Sequence, residues 1–181
     1  MADLTVPVAT DRAFSSAERA GRDNEPIWDV IELLFFAYRD FIGDPDDVLA
    51  KLSFGRAHHR VLHFVNRNPG MKVAELLDVL KITKQSLGRV LKQLIDQGYV
   101  VQKEGERDRR QRLLFATPKG AELALRLARL QSARIARALA DLGPNTHEEA
   151  CRFLTAMINA DQRDAVLRFI ARADRARRQR G

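Results

Sequence analysis

Residues 71–120 read MKVAELLDVLKITKQSLGRVLKQLIDQGYVVQKEGERDRRQRLLFATPKG. Val73, Leu76, Leu77 and Leu80 recur at helical spacing, and Leu87, Val90, Leu91, Leu94 and Ile95 do the same. Two short helices therefore each offer one apolar face to a core. Between them Thr83 is a good N-cap, so the second helix starts afresh at Lys84. Its first turn carries Lys84, Gln85 and Ser86, with Arg89 one turn further on. An amide, a hydroxyl and two cations suit base edges and phosphates in a major groove. Gly98 stops this helix, and residues 99–103 and 112–115 read as two strands joined by the tip EGERDRRQ. Helix, turn, helix and hairpin in that order predict a winged helix-turn-helix.

The hairpin tip is strongly basic, with Arg107, Arg109 and Arg110 on it and Lys103 and Arg112 beside it. A charge run is often no more than a solvated turn. Directly behind a recognition-type helix it reads instead as a probe for the minor groove, whose negative potential attracts inserted Arg. At these residues the chain resembles the MarR family of transcription regulators. The family's wing has the form Asp-x-Arg-Asp-x-Arg, and residues 105–110, Gly-Glu-Arg-Asp-Arg-Arg, fit it with Gly105 in place of the first Asp. Thr117-Pro118-Lys119-Gly120 resembles the family's Leu-Thr-x-Lys-Gly exit, with Ala116 in the Leu place. The runs FFAYRDFIGDP, FGRAHHRVLHFVNRNPG and LKITKQSLGRVLKQL are similar to the PetP-like subgroup, and the resemblance extends over residues 25–142. It implies that Arg110 enters the minor groove and that Asp108 orients it.

A chain of 181 residues fits one domain and can bury a real core. The formal net charge of +7 favours a polyanionic partner, although charge alone leaves acidic substrates and membrane surfaces open. No apolar run approaches membrane-spanning length, and the first 24 residues, with Asp3, Asp11, Arg12 and Glu18, are too polar for a signal peptide. A cytoplasmic protein is expected, and the lone Cys151, which cannot form an internal disulfide, suits a reducing compartment. A Gly-rich phosphate loop, a nucleophile motif and zinc-ligand spacing are all missing from the sequence. Asp44, Asp46 and Asp47 read as helix-start charges. We therefore expect neither an enzyme nor a cofactor.

The fold class expected is mainly α with a small antiparallel β-wing. Residues 1–24 lack sustained periodicity and read as a flexible arm, followed by a single MarR-like domain over 25–181, with the winged part at 53–117 and dimerisation helices at 25–43 and 118–175. Pro26 opens a helix whose stripe of Ile27, Val30, Ile31, Leu34, Phe35, Tyr38 and Phe41 runs to Gly43. Asp44-Pro45 restarts a short helix through Leu52, and another runs to Asn66. After Thr117 and Pro118 a long helix reaches Leu142. Gly143-Pro144 breaks it, Thr146 with Glu149 reads as a capping box, and Phe153, Leu154, Met157, Ile158, Val166, Phe169 and Ile170 stripe one last helix. Apolar stripes at both ends of a DNA reader point to a homodimer. The alternative is that the first, fifth and sixth helices pack within one chain.

His59 and His63 lie four apart on one helix face and could share an ion or haem, but two ligands rarely suffice, so no metal is expected. His58 aligns with Val61, Leu62 and Val65, which suits hydrogen bonding in the core or lining an effector pocket with Phe35, Tyr38 and Arg60. A small anionic or aromatic organic effector fits those side chains. Cys151 reads as a small packed side chain, with a reactive thiol as the alternative. The function expected is sequence-specific regulation of transcription by a homodimer on a pseudo-palindromic site in double-stranded DNA, modulated by a small ligand and without a membrane partner. The competing reading is nonspecific or architectural nucleic-acid binding. The turn from Lys84 to Arg89 separates the two, because a nonspecific binder needs only its cations.

Overall fold

A computed structural model of the chain describes residues 25–105, 108 and 110–178. The arm expected over residues 1–24, together with Arg107 and Arg109 on the wing, lies outside the described residues. The elements are α1 (Trp28–Ala50), α2 (Arg56–Arg67), β1 (Met71–Lys72), α3 (Val73–Leu80), α4 (Lys84–Asp96), β2 (Val100–Glu104), β3 (Arg112–Ala116), α5 (Pro118–Leu142), α6 (Thr146–Met157) and α7 (Ala160–Arg178). The chain divides into two units, Met1–Ala37 and Tyr38–Gly181, with the boundary inside α1. In the described part of the first unit Ile27, Trp28, Leu33, Leu34, Phe35 and Phe36 are all exposed.

The second unit is built around the apolar face of α2. Val61, Leu62 and Val65 share one core with Leu76 and Leu80 of α3, Leu87, Leu91 and Leu94 of α4, and Leu123 and Leu127 of α5. Burying each such side chain contributes about 1.5–3 kcal/mol, far more than the propensity of helices as short as α3 could supply. The turn between α3 and α4 is made by Lys81 in the left-handed conformation (φ 51°), its N–H donating to the Leu77 carbonyl. Thr83 caps α4 as its sequence suggests, its Oγ1 accepting from the Ser86 N–H at 3.1 Å.

The hairpin gains a third strand. β3 lies between β1 and β2, antiparallel to both, with Val100 opposite Ala116, Glu104 opposite Arg112, and Met71 opposite Leu114. At the far end of α4, the Tyr99 N–H donates to Leu94 O and the Gly98 N–H to Ile95 O, with Gly98 at φ 75°. This is a Schellman closure. The first turn of α5 docks on it. Thr117 N–H donates to Tyr99 O (3.1 Å), Thr117 Oγ1 to Gly98 O (2.7 Å) and Lys119 Nζ to Gln97 O (3.0 Å), while the Lys119 ammonium sits 4.2 Å from the Tyr99 ring centroid.

Three features differ from the sequence reading. α1 runs unbroken through Pro45, where a restart was expected. Ile42, Pro45 and Leu49 are buried on one face, and that packing offsets the hydrogen bond a proline removes. The expected last helix is two, because Ile158 is extended (ψ 138°) and the Gln162 and Arg163 N–H groups restart on Asn159 O. Asn159 followed by Asp161 is a helix-start pattern inside the apolar stripe. The Thr146 capping box does not form either: Asn145 is the N-cap, and Thr146 Oγ1 donates back to Gly143 O at 2.8 Å.

Gly120 sits where α5 meets Tyr99, and a Cβ there would lie 2.0 Å from the Tyr99 carbonyl oxygen. We expect Gly120→Ala to destabilise the fold by about 3 kcal/mol, the upper end of overpacking costs, because backbone must move. Urea unfolding of the variant at wild-type stability would show that α5 does not dock as described.

Candidate nucleic-acid interface

Packing decides which side of α4 faces outward. Leu87, Val90, Leu91 and Leu94 are buried on one face, which turns Lys84, Gln85, Ser86, Gly88 and Arg89 to solvent. Ser86 is held by the cap itself, because the Thr83 hydroxyl donates to Ser86 Oγ at 2.9 Å. Lys84, Gln85 and Arg89 have no hydrogen-bond or ion-pair partner among the described residues. Their polar groups are therefore available to an outside partner. Gln93, nearer the other end of α4, is also exposed but is engaged by His58.

The wing tip is shaped by Asp108. Its Oδ1 accepts from the Arg110 main-chain N–H (2.9 Å) and its Oδ2 from the Gln111 side-chain amide (3.3 Å), while Gln111 N–H donates to Asp108 O. Asp108 thus orients Arg110 through the backbone, leaving the Arg110 side chain exposed. Gly105 belongs to the same turn: its N–H donates to Gln111 O, and a Cβ would lie 2.8 Å from Asp108 O. An Asp in that place would require the tip to open. Arg112 is committed to a cross-strand ion pair with Glu104 at 2.8 Å.

An open groove of about 790 Å³ separates α4 from the hairpin. Leu77, Leu87, Leu91 and Ile95 line its floor, and Lys72, Lys84, Lys92, Arg110 and Arg112 line its sides. Lys72, Gly88 and Lys92 were not singled out by the sequence analysis. Gly88 carried a signal, since glycine inside a helix costs about 1 kcal/mol relative to alanine and so asks for a reason.

The other candidate residues lie on α1, α2 and α6. Phe35 belongs to the first unit and is 69 % exposed, and Tyr38 is exposed in the second. The His58 ring stacks on Phe54 with centroids 4.6 Å apart. Its Nδ1 accepts from the Gly55 N–H, so its proton lies on Nε2 and donates to Gln93 Oε1. Arg60 donates to Leu80 O at 3.1 Å, closing the end of α3. His59 and His63 are half-buried on α2, and no group of three or more His, Cys, Asp and Glu among the described residues is placed to hold a metal ion. Cys151 is exposed, its Sγ 4.0 Å from His147 Nε2. No helix among the described residues is long and apolar enough to cross a membrane.

A model of the MarR family matches residues 52–111. The HTH-type transcriptional regulator PetP of Rhodobacter capsulatus is 47 % identical over 163 residues, which cover 90 % of this chain and 94 % of that protein. Among solved structures, the transcriptional regulator SlyA aligns with a TM-score of 0.61 at 21 % identity, over 71 % of this chain and 91 % of its own. Streptococcus pneumoniae FabT, in complex with DNA, gives 0.65 at 16 % identity, over 73 % and 94 %. A MarR family protein of Mycobacterium tuberculosis, in complex with salicylic acid, gives 0.53 at 25 % identity, over 75 % and 98 %.

Burial lowers the His63 imidazole below its ordinary value of 6.5, helped by the nearby His59 and Arg67 charges. It lowers His59 likewise, with Asp46 opposing. Both are neutral in the fold where the unfolded chain is already protonated. Stability is therefore complete above about pH 6.5 and declines as pH falls through the lowered values. Thermal unfolding between pH 7.5 and 5 is expected to show this loss, and His63→Gln to flatten it; equal slopes in the two proteins would count against the burial argument.

Proposed function

The chain belongs to the MarR family of transcriptional regulators, and from that premise we propose that it acts in the cytoplasm as a homodimer on a pseudo-palindromic operator in double-stranded DNA, under the control of a small organic ligand. It is a regulator and not an enzyme. The observation that carries the DNA reading is the solvent-facing turn of α4: Lys84, Gln85, Ser86 and Arg89 stand outward on a capped helix, and Lys84 shares one groove with Arg110 of the wing. In this reading Gln85 and Ser86 meet base edges, while Lys84 and Arg89 hold phosphates and Arg112 keeps its pair with Glu104. Arg110 enters the minor groove with Arg107 and Arg109 beside it, on a backbone that Asp108 sets. The FabT complex with DNA supports the partner.

Dimerisation is supported by apolar surface outside the reading core. Leu33 to Phe36 of α1, Leu142 of α5, Phe153, Leu154 and Met157 of α6, and Leu167 and Ile170 of α7 are exposed. Exposed apolar area of this kind on a two-fold DNA reader is best covered by a second copy. The salicylic acid complex of a relative supports an anionic aromatic ligand, for which Tyr38, His58 and Arg60 are the candidate contacts. Such a ligand acts by its different affinity for the DNA-competent and incompetent forms, and each tenfold change in operator affinity requires about 1.4 kcal/mol of coupling.

Selection of bound sites from random duplex DNA should return a palindrome with half-sites one helical turn apart. On that site Gln85→Ala is expected to relax base preference by about 1–3 kcal/mol at one position per half-site. Arg110→Ala should weaken binding to every site and reduce the salt slope by up to about 0.9 for each phosphate charge no longer neutralised. Binding unchanged by both substitutions would remove this interface, and curves unchanged by added salicylate would remove that ligand.

Full-length protein is expected to sediment as a dimer at micromolar concentration. Deleting residues 144–181 should give monomer or aggregate with operator affinity lower by several powers of ten, because the linked second half-site is forfeited. A monomer that protects a whole palindrome would contradict the assembly.

A further inference from the structure

Gly88 occupies a place in α4 that the core does not explain. It sits inside the helix, between Leu87 and Val90 that are buried and Lys84 and Arg89 that are not, and it faces the groove beside the hairpin. Glycine weakens a helix interior more than any residue except proline. A close internal contact is the usual reason to tolerate it, and Gly120 shows that case, with the Tyr99 carbonyl oxygen 2.0 Å from where a Cβ would be. At Gly88 the same construction meets nothing within 4 Å. No atom among the described residues needs the space.

We propose that Gly88 leaves clearance for the sugar–phosphate backbone of the DNA strand that passes through the groove between α4 and the hairpin. The proposal rests on the operator-binding reading above. With α4 in the major groove and the wing tip in the neighbouring minor groove, the strand dividing the two grooves must pass between helix and hairpin. The groove suits it chemically. Its floor of Leu87, Leu91 and Ile95 matches the apolar carbons of deoxyribose, and Lys72, Lys84 and Arg110 at its sides match phosphate oxygens. Asp96 at one end is paired with Lys92 at 2.6 Å, so the track is not repulsive there. A side chain at position 88 would stand in the path of the strand, while in the free protein it would extend into open solvent.

The test separates stability from binding, which a merely structural glycine could not do. Gly88→Ala and Gly88→Met, in the full-length protein, should both unfold at higher temperature than wild type, because alanine and methionine are better helix formers. On the palindromic duplex selected by the wild-type protein, Ala should weaken binding modestly. Met should weaken it about tenfold or more, the value of one charge-assisted phosphate contact, with a shallower salt dependence and an unchanged base preference. Equal affinity across the three proteins would overturn the proposal while leaving the DNA reading intact. A loss of binding accompanied by a lower unfolding temperature, or a changed consensus, would overturn it as well, by assigning the glycine to folding or to base recognition. Failure of the wild-type protein to select any sequence would remove the operator reading and this inference together.

Discussion

Tyr99 and Gly120 meet backbone to backbone, and the placement of α4 and the hairpin against α5 follows from that approach. The end of a helix leaves carbonyls without partners, and at α4 these are taken up by the Schellman turn at Gly98 and by the first turn of α5. A close approach of main chains cannot relax as side chains can. Helix α4, the root of β2 and the long helix α5 are therefore fixed to one another at a single point. The core side chains of α2 then set the remaining angle, and the Gln93 to His58 hydrogen bond ties α4 to the start of α2.

Charge is divided between holding the fold and facing outward. Arg56, Arg67, Lys92, Arg112, Arg134 and Arg172 are each within 4 Å of a carboxylate, and Arg60 and Lys119 close helix ends by donating to carbonyls. Surface pairs of this kind contribute at most about 1 kcal/mol each, so they matter more as positioning than as stability. Lys84, Arg89 and Arg110 stand outside these pairs and are exposed, so their charge faces outward. Arg112 looked equivalent to Arg110 in the sequence, yet its position opposite Glu104 in the strand register gives it a partner.

Local chemistry is what the sequence displays best. Thr83, Gly98 and Pro118 act within four residues of themselves, as Thr117 does in capping α5, and each does in the structure what its type suggests. The polar turn of α4 was legible for the same reason, since the apolar period fixes the opposite face. Where distant groups decide, the reading ran out. The helix through Pro45 depends on burial of Ile42, Pro45 and Leu49, the last of which joins the core shared with α2, α3, α4 and α5. The left-handed Lys81 carries no compositional mark, the two-residue strand β1 exists only because β3 offers it an edge, and the engagement of His58 spans thirty-five positions. The Ile158 break was hidden because its start signal, Asn159, lies within an apolar stripe that continues across it.

The Asp108 carboxylate spends both oxygens on the turn that carries Arg110. That side of the tip is shaped before any partner arrives, so little conformational freedom remains to be given up when one docks. Preorganisation of this kind leaves encounter to long-range attraction, which any DNA provides, and puts the distinction between sites into how long a complex survives. A regulator built on such a wing would sample many sequences quickly and stay on few, and its selectivity would reside in residence time.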